Sequence, residues 1–462
     1  MHSISSIRSI INPYFYLSSR FIFSLFILFI FVSMLLFSCI LVFNRIKHPF
    51  WAIQPVFHYY DLHYWGRNKG ILSSQLPDKN KFVNFQKVQT MCVTDENLQK
   101  CASMWNKVLE CVQTHYLRET TCEYVPSLQN IVPYFVGHAF PCFISTFVEP
   151  EYIAPNFNNE KDKVVTQKDK VVGVMTSRPL YVCINTSSIQ FPVYYIDYLC
   201  VDKTRRKQNV APQLIQTHEY VQSHQSRKIS VSLFKREGEL TGIVPLTTFN
   251  TVCFSLKQLS VSTKPNPVSY VRVSSTNILI LYDFLKLQTL NKQKWDIFIL
   301  PHLSNIMECI KTDNIIAYMS ILHDQIQSCY FFRTTQTSII QTNENEPNEP
   351  NEPNLILSCF ASVRNPELCN VDDFISGFYK TLAELLRSAG QSQTTPPNKN
   401  KLKSISNPKQ IGYLSIENIS DNADLIKTLC ETITPYATSP TAYFFYNFGH
   451  SPFSSTRSFI LY

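Results

Sequence analysis

Residues Ile196 to Pro212 read IDYLCVDKTRRKQNVAP, a strand-like run followed by a basic turn and a helix start. Val193, Tyr194, Tyr195, Ile196, Tyr198, Leu199 and Val201 are β-branched, aromatic or aliphatic, which predicts a buried strand ending near Val201. Lys203, Arg205, Arg206 and Lys207 then follow within five residues, and Pro212 falls where the first turn of a helix tolerates proline. Free backbone N–H groups at a helix start, the helix dipole and four cations together favour an anion such as pyrophosphate. The plainer reading of the same residues is a solvated basic turn after a core strand.

Two resemblances bear on that choice. Arg206-x-x-Asn209-x-Ala211 is similar to the Arg/Gln-x-x-Gly-x-Gly/Ala motif of acyl-CoA transferases with the acetyltransferase-like (GNAT) fold, Asn being one of the few residues besides Gly that visits left-handed backbone angles cheaply. Asp197-Tyr198-Leu199-Cys200-Val201, the basic turn and Ala211-Pro212 resemble the eukaryotic N-myristoyltransferase signature, Asn-Phe-Leu-Cys-Val with a later Ala-Pro. Phe50-Trp51-Ala52-Ile53-Gln54-Pro55-Val56 is similar to that family's opening Phe-Trp-x-Thr-Gln-Pro-Val, and Tyr443 to Phe448 (YFFYNF) to its closing Tyr-Tyr-Leu-Tyr-Asn-Trp. The matches keep the family's order and spacing across residues 50 to 462, although the text between them is mostly unlike it.

Composition sets the bounds. A chain of 462 residues has room for two domains and a tail. Apolar residues at 45% exclude global disorder, and a net charge of +8 without a long basic tract does not favour nucleic acid. Fourteen cysteines occur with no C-x-x-C pair, which predicts free, mostly buried thiols in a reducing compartment. His58 and His63 share no helical face, and no metal site is expected. Phe21 to Phe43 is uncharged and long enough to cross a bilayer as one helix; it exceeds the apolar run of a cleaved signal peptide, and no small-residue cleavage site follows. Arg8 and Arg20 before it balance Arg45 and Lys47 after it, so charge does not orient it.

Further along, the spacing predicts a helix over Asp95–Val112, a surface loop over Pro155–Lys170, and strands over Val171–Met175 and Tyr181–Ile184. Leu214, Ile215, His218 and Val221 share a helix side, which puts His218 at a boundary rather than in chemistry. A second run follows: a helix over Asn305–Asp324, strands over Cys329–Gln341 and Leu355–Val363, a helix over Asp372–Ser388, a strand over Ile411–Ile416, a helix over Ala423–Thr432 and a strand over Ala442–Phe448. The NEP triplets of 343–354 and the proline-bearing stretch 391–410 read as surface loops. The expected fold is α+β: two tandem GNAT units with mixed sheets flanked by helices, preceded by one transmembrane helix. The expected division is a tail at 1–20, the anchor at 21–43, an acyl-CoA-binding unit at 44–267 and a second unit at 268–462.

No GxSxG, HExxH or GxxxxGK[ST] pattern occurs, so the common signals for esterase, metalloprotease and P-loop NTPase are missing. Amide formation from a thioester needs only a base, oxyanion donors and a clamp for the donor. The resemblance implies myristoyl-CoA as acyl donor, proteins with an N-terminal glycine as acceptors, and a catalytic part in the cytosol after Asn44. It implies backbone N–H donors at Tyr198 and Leu199 and the terminal carboxylate at Tyr462 as base. Donor contacts fall on His48, Pro49, Phe50, Trp51, Cys200, Val201, Arg205, Arg206, Lys207, Gln208, Asn209, Val210, Ala211 and Pro212, and acceptor contacts on Thr241, Gly242, Tyr446 and Asn447. The apolar Phe459-Ile460-Leu461 predicts a buried tail. The sequence departs from the family at Ile53, at Gln208-Asn209 and at TPYATSPT (434–441), which lacks the glycine-rich turn; these departures and the anchor point to a divergent, viral member. Two other readings stay open: an acyltransferase with another chain length or acceptor, and an inactive membrane-anchored scaffold.

Overall fold

The computed structural model describes residues 3–61, 64, 66, 69–117, 122–153, 166–238, 242–259, 267–340, 354–391 and 410–462. It divides into two units, residues 1–66 and 67–462. In the first, helix α1 (Ser3–Lys47) is followed by a 3₁₀ turn at Trp51–Ile53. Within α1, Phe21–Lys47 is long and apolar enough to cross a membrane. Two of its polar side chains close on the helix itself: the Ser38 hydroxyl donates to Met34 O and the Asn44 amide to Ile40 O, both at 2.9 Å.

The second unit runs β1 (Gly70–Ile71), β2 (Val88–Val93), α2 (Ala102–His115), β3 (Cys122–Tyr124), β4 (Cys142–Ile153), β5 (Thr166–Ile184), β6 (Ile189–Val201), α3 (Val210–Gln225), β7 (Ser232–Glu237), β8 (Thr247–Ser255) and β9 (Ser269–Arg272). It continues with α4 (Ile278–Thr289), β10 (Ile297–Leu300), α5 (Leu303–Lys311), β11 (Ile316–Leu322), β12 (Gln325–Ile339), β13 (Asn354–Arg364), α6 (Val371–Gln391), β14 (Ile411–Glu417), α7 (Asn422–Thr432), β15 (Ala437–Tyr446), β16 (Phe448–Gly449) and β17 (Ser458–Ile460). Among the described residues fifteen strands form one mixed sheet, with the order β17-β10-β5-β6-β7-β15-β8-β14-β13-β12-β11-β9; β2 and β4 extend from β5, and β3 lies on β12.

One path occurs twice. An antiparallel pair, a helix and a strand parallel to the last appear as β5-β6-α3-β7 and again as β12-β13-α6-β14. The two copies interleave: β15, late in the chain, pairs with β7, while β8, from the earlier copy, pairs with β14. The largest apolar core draws on both, from Leu180 and Tyr195 to Phe360 and Tyr462.

Several expectations change. β5 is one strand through Pro179, not two, and it begins at Thr166, inside the expected loop. β4 pairs with β5 up to Ser177 and β10 from Tyr181 onward, so around Pro179 the strand has β6 alone beside it, where a proline costs least. The expected helix over Asn305–Asp324 is α5 followed by β11, because Asp313 turns at φ +57° and the β-branched and aromatic run after it pairs with both β9 and β12. β15 starts at Ala437 and takes in part of the prolines' stretch. The loops at 343–353 and 392–409 lie outside the described residues. All fourteen thiols are free.

His218 is not at a boundary. It is fully buried, with Ser145 Oγ and Ser177 Oγ each 2.8 Å from its ring nitrogens, and burial pushes it down to about 3. Its neighbour Glu219 is pushed up to about 7 by burial, against bonds from Ser223 and Ser232. These act in opposite directions. For His218 the unfolded chain takes the proton first, so stability falls as pH drops from 6.5 towards 3; for Glu219 the folded chain keeps the proton, so stability falls as pH rises from 4.5 through about 7. Replacing Glu219→Gln should therefore raise stability at pH 8, by up to roughly 3 kcal/mol, and change it little at pH 4.5; thermal denaturation at the two pH values reads this.

Candidate functional site

At the end of β6 the chain makes a tightly fixed turn. Asp202 accepts from the Thr204 N–H and the Thr204 hydroxyl, both at 2.9 Å. Burial raises its carboxyl, but these bonds and the nearby His115 and Lys170 outweigh that and hold it below the ordinary value. A 3₁₀ turn follows at Lys203–Arg205, then Lys207 and Asn209 adopt left-handed angles (φ +64° and +58°), and α3 begins at Val210 with no side chain capping it. The helix start is pressed against β5: a Cβ at Gly173 would lie 3.2 Å from Val210 Cγ1 and 3.3 Å from Cys200 O. Arg205 pairs with Glu149 at 3.1 Å and Arg206 donates to His115 O at 3.3 Å. Alongside, between α2 and the ends of β5 and β6, lies a cleft of about 770 Å³ lined by Lys107, Glu110, His115, Lys170 and Asp202.

Upstream of the turn the sheet opens. β6 and β7 run parallel but pair over only Tyr194–Ile196 and Ser232–Phe234, and beyond Ile196 they part. On its other side β6 carries a bulge, with Asp197 and Tyr198 opposite Thr176. The Tyr198 N–H donates to Thr176 Oγ1 at 3.1 Å. The Asp202 N–H bonds Val172 O, which makes 172/202 a bonded pair; ladder alternation then makes Met175/Leu199 an unbonded pair and turns the Leu199 N–H away from β5, towards the side β7 has left. Of the two expected donors, Leu199 faces the fork and Tyr198 is engaged.

The tail closes the same fork. β17 runs parallel to β10, Leu461 N–H bonds Ile299 O at 2.9 Å, and Tyr462 is buried. Its ring lies 5.2 Å from that of Tyr195 on β6. Its hydroxyl donates to Glu417 Oε1 at 2.8 Å and accepts from Lys235 Nζ at 3.0 Å and from Arg333 Nη2. Tyr195 and Lys235 stand on either side of the last β6–β7 pair, so the last residue spans the point where the strands divide.

The remaining expected residues fall in both units. His48 to Trp51 lie in the 1–66 unit, where the Phe50 and Trp51 rings meet edge to face at 5.1 Å. Cys200, Val201 and Gln208 to Pro212 flank the turn, and the Gln208 amide donates to Thr204 O at 3.1 Å. Gly242 is exposed and Thr241 lies outside the described residues. Asn447 acts as a bracket: its side chain joins Ser73 N, Ser73 O and Ser230 O at 2.8–2.9 Å, while Tyr446 is buried with Glu219 acting on its phenol. Sequence reading missed Arg178, Lys235, Arg333 and Glu417, the charged groups at the fork. Arg178 is fully buried between the rings of Tyr134 and Tyr195, and its Nε donates to Asp197 Oδ2 at 2.8 Å. Charged residues inside strands read as surface positions, and no local pattern distinguishes these.

No family model matches this sequence, and no curated protein matches it. Solved structures do match. The Saccharomyces cerevisiae N-myristoyltransferase with bound myristoyl-CoA superposes with a TM-score of 0.61 at 12% identity, covering 88% of this chain and 94% of that one. The same yeast enzyme with myristoyl-CoA and inhibitors gives 0.61 at 12% identity, covering 91% and 95%. The chain has the N-myristoyltransferase fold.

The turn itself can be tested. Asn209→Val forces a β-branched residue into left-handed angles and should lower stability by about 1–2 kcal/mol, while Asn209→Gly should not; denaturant unfolding distinguishes them.

Proposed function

We propose that this protein is an acyl-CoA-dependent N-acyltransferase that passes myristate from myristoyl-CoA to the N-terminal glycine of proteins, held to a membrane through α1 with the residues after Asn44 in the cytosol. The observation that carries the reading is the β6–β7 fork. The Leu199 N–H is turned towards it, and a few residues on, β6 runs through a turn bearing Lys203, Arg205, Arg206 and Lys207 into a helix start with no side-chain cap. The fold's match to structures holding myristoyl-CoA supports the same reading.

In this reading Arg205, Arg206 and Lys207, with the N–H groups at the start of α3, hold the pyrophosphate of the donor. The thioester carbonyl lies in the fork, where the Leu199 N–H donates to the oxygen as it gains charge. The acceptor ammonium gives one proton to the carboxylate at Tyr462 and attacks as the free amine; the C–N bond forms, the C–S bond breaks, and the thiolate takes the second proton from nitrogen. The 44–267 unit thus binds the donor, and 268–462 supplies the tail. The inactive-scaffold reading has its own support in the Tyr198 N–H engaged by Thr176 and Arg205 engaged by Glu149. Transfer decides between them.

The full chain should move labelled myristate onto a Gly-initiated peptide. Arg206→Ala should weaken acyl-CoA binding roughly tenfold by calorimetry, the scale of one charge-assisted contact at an exposed site. A C-terminal tag should cut transfer by about 10²–10⁴-fold and leave acyl-CoA affinity nearly unchanged. Full turnover in the tagged chain removes the tail from the mechanism.

Topology has a separate test. Asn185-Thr186-Ser187 and Asn418-Ile419-Ser420 are glycosylation sequons. With a cytosolic body, both stay bare in cells, read by mobility before and after glycosidase. A glycan on Asn418 puts the body on the wrong side for acyl-CoA. Asn185 is the weaker reporter, since its amide is buried and donates to Trp295 O.

A further inference from the structure

We infer that Asp197 is the docking site for the acceptor's ammonium group. The inference rests on the acyltransferase reading and deepens it, by assigning a primary ammonium to one named oxygen at the fork.

Three observations converge. First, Asp197 lies in the bulge, directly after Ile196, the last residue of β6 to pair with β7, and two residues before Leu199, whose N–H faces the gap. Second, the ion pair it makes is lopsided. Arg178 is 1% exposed and clamped between two tyrosine rings, whereas the Asp197 side chain is 20% exposed and meets it through Oδ2 alone. Among the described residues, Asp197 Oδ1 has no hydrogen-bond partner. Arg–carboxylate pairs are frequently bidentate, and this one instead leaves Oδ1 open to accept from another group. Third, Arg178 answers the objection that an acid beside an oxyanion donor repels the charge that develops there. Its guanidinium is fixed at 2.8 Å by β5 and its tyrosines, and it offsets that charge while leaving Oδ1 open to a cation.

Lys235, Arg333 and the Tyr462 hydroxyl all meet at Glu417 Oε1, and Glu417, although its Oε2 has no partner among the described residues, is only 3% exposed. Glu237 is bonded to Lys235 at 2.8 Å. Asp197 is therefore the acid of the fork that has both exposure and an unclaimed oxygen on the strand carrying the donor N–H. An ammonium held there stands beside the gap, two residues along β6 from Tyr195, whose ring lies 5.2 Å from that of Tyr462.

The test is a binding comparison that does not require turnover. With the full chain and a non-hydrolysable acyl-CoA, the affinity of a Gly-initiated peptide is measured against the same peptide capped by an acetyl group, in wild type, Asp197→Asn and Asp197→Glu. Wild type should prefer the free amine by about 10–100-fold, the range of one charge-assisted hydrogen bond. Asp197→Asn should lose that preference with acyl-CoA affinity unchanged, and Asp197→Glu should recover most of it. Transfer to hydroxylamine, a nucleophile neutral at pH 7, should survive Asp197→Asn while transfer to the peptide falls. Equal preference in wild type and Asp197→Asn overturns the assignment, as does parallel loss with both nucleophiles. Should Asp197→Asn not fold, an Asp197→Glu chain with no preference for the free amine overturns it equally. A wild type that discriminates the amine but transfers to neither nucleophile refutes the acyltransferase reading alone.

Discussion

Two parallel strands that pair for only three residues and then separate leave backbone donors and acceptors facing one another across a gap too wide for a ladder. Buried peptide groups left that way are costly, so the surrounding structure must either flood the gap, fill it or reserve it. Here it does some of each. Thr176 takes the Tyr198 N–H, the aromatic tail fills the point of division, and the Leu199 N–H is left directed into the opening. The pairing of β7 with β15 fixes how far the strands diverge, because β15 holds β7 along its whole length while β5 holds β6.

The charged cluster around Glu417 follows from the same opening. Glu417 is almost completely buried and is held by Lys235, Arg333 and the Tyr462 hydroxyl, yet its second oxygen has no partner among the described residues. Taking such charges out of water costs several kcal/mol each, and mutual attraction only about restores it. The cluster therefore contributes little net stability. It contributes registry: β7, β12, β14 and the tail meet at one atom, Glu417 Oε1, and a one-residue slip in any of them would strand a buried charge.

What the sequence shows is mostly local. The strand into Val201, the basic turn and the helix from Val210 are visible because hydrophobicity, charge and a proline fall at the right intervals, and Asn209 betrays its left-handed angle because few residues tolerate one. The long-range resemblance supplied the fold. The bulge was not legible from the local residues, since Asp197 is an unremarkable residue until Thr176 is placed opposite it. Continuity of β5 through Pro179 depends on which neighbour ends where, and the role of Asn447 as a bracket depends on Ser73 and Ser230, far away in the chain. Arg178, Lys235 and Arg333 look like ordinary solvated charges for the same reason: Asp197 lies 19 residues from Arg178, and Glu417 lies 182 from Lys235 and 84 from Arg333.

The exchange of strands between the two copies also governs how the chain can be made. Synthesis delivers β7 and β8 early, but the strand that lies between them, β15, begins about 200 residues after β7 ends. At a ribosome's pace of roughly 5–20 residues per second, two strand edges wait some 10–40 s for their neighbour. An unpaired edge is a template for any passing strand, including that of another nascent copy. Such a pair of waiting edges calls for a holding chaperone or for spatial isolation of growing chains during translation.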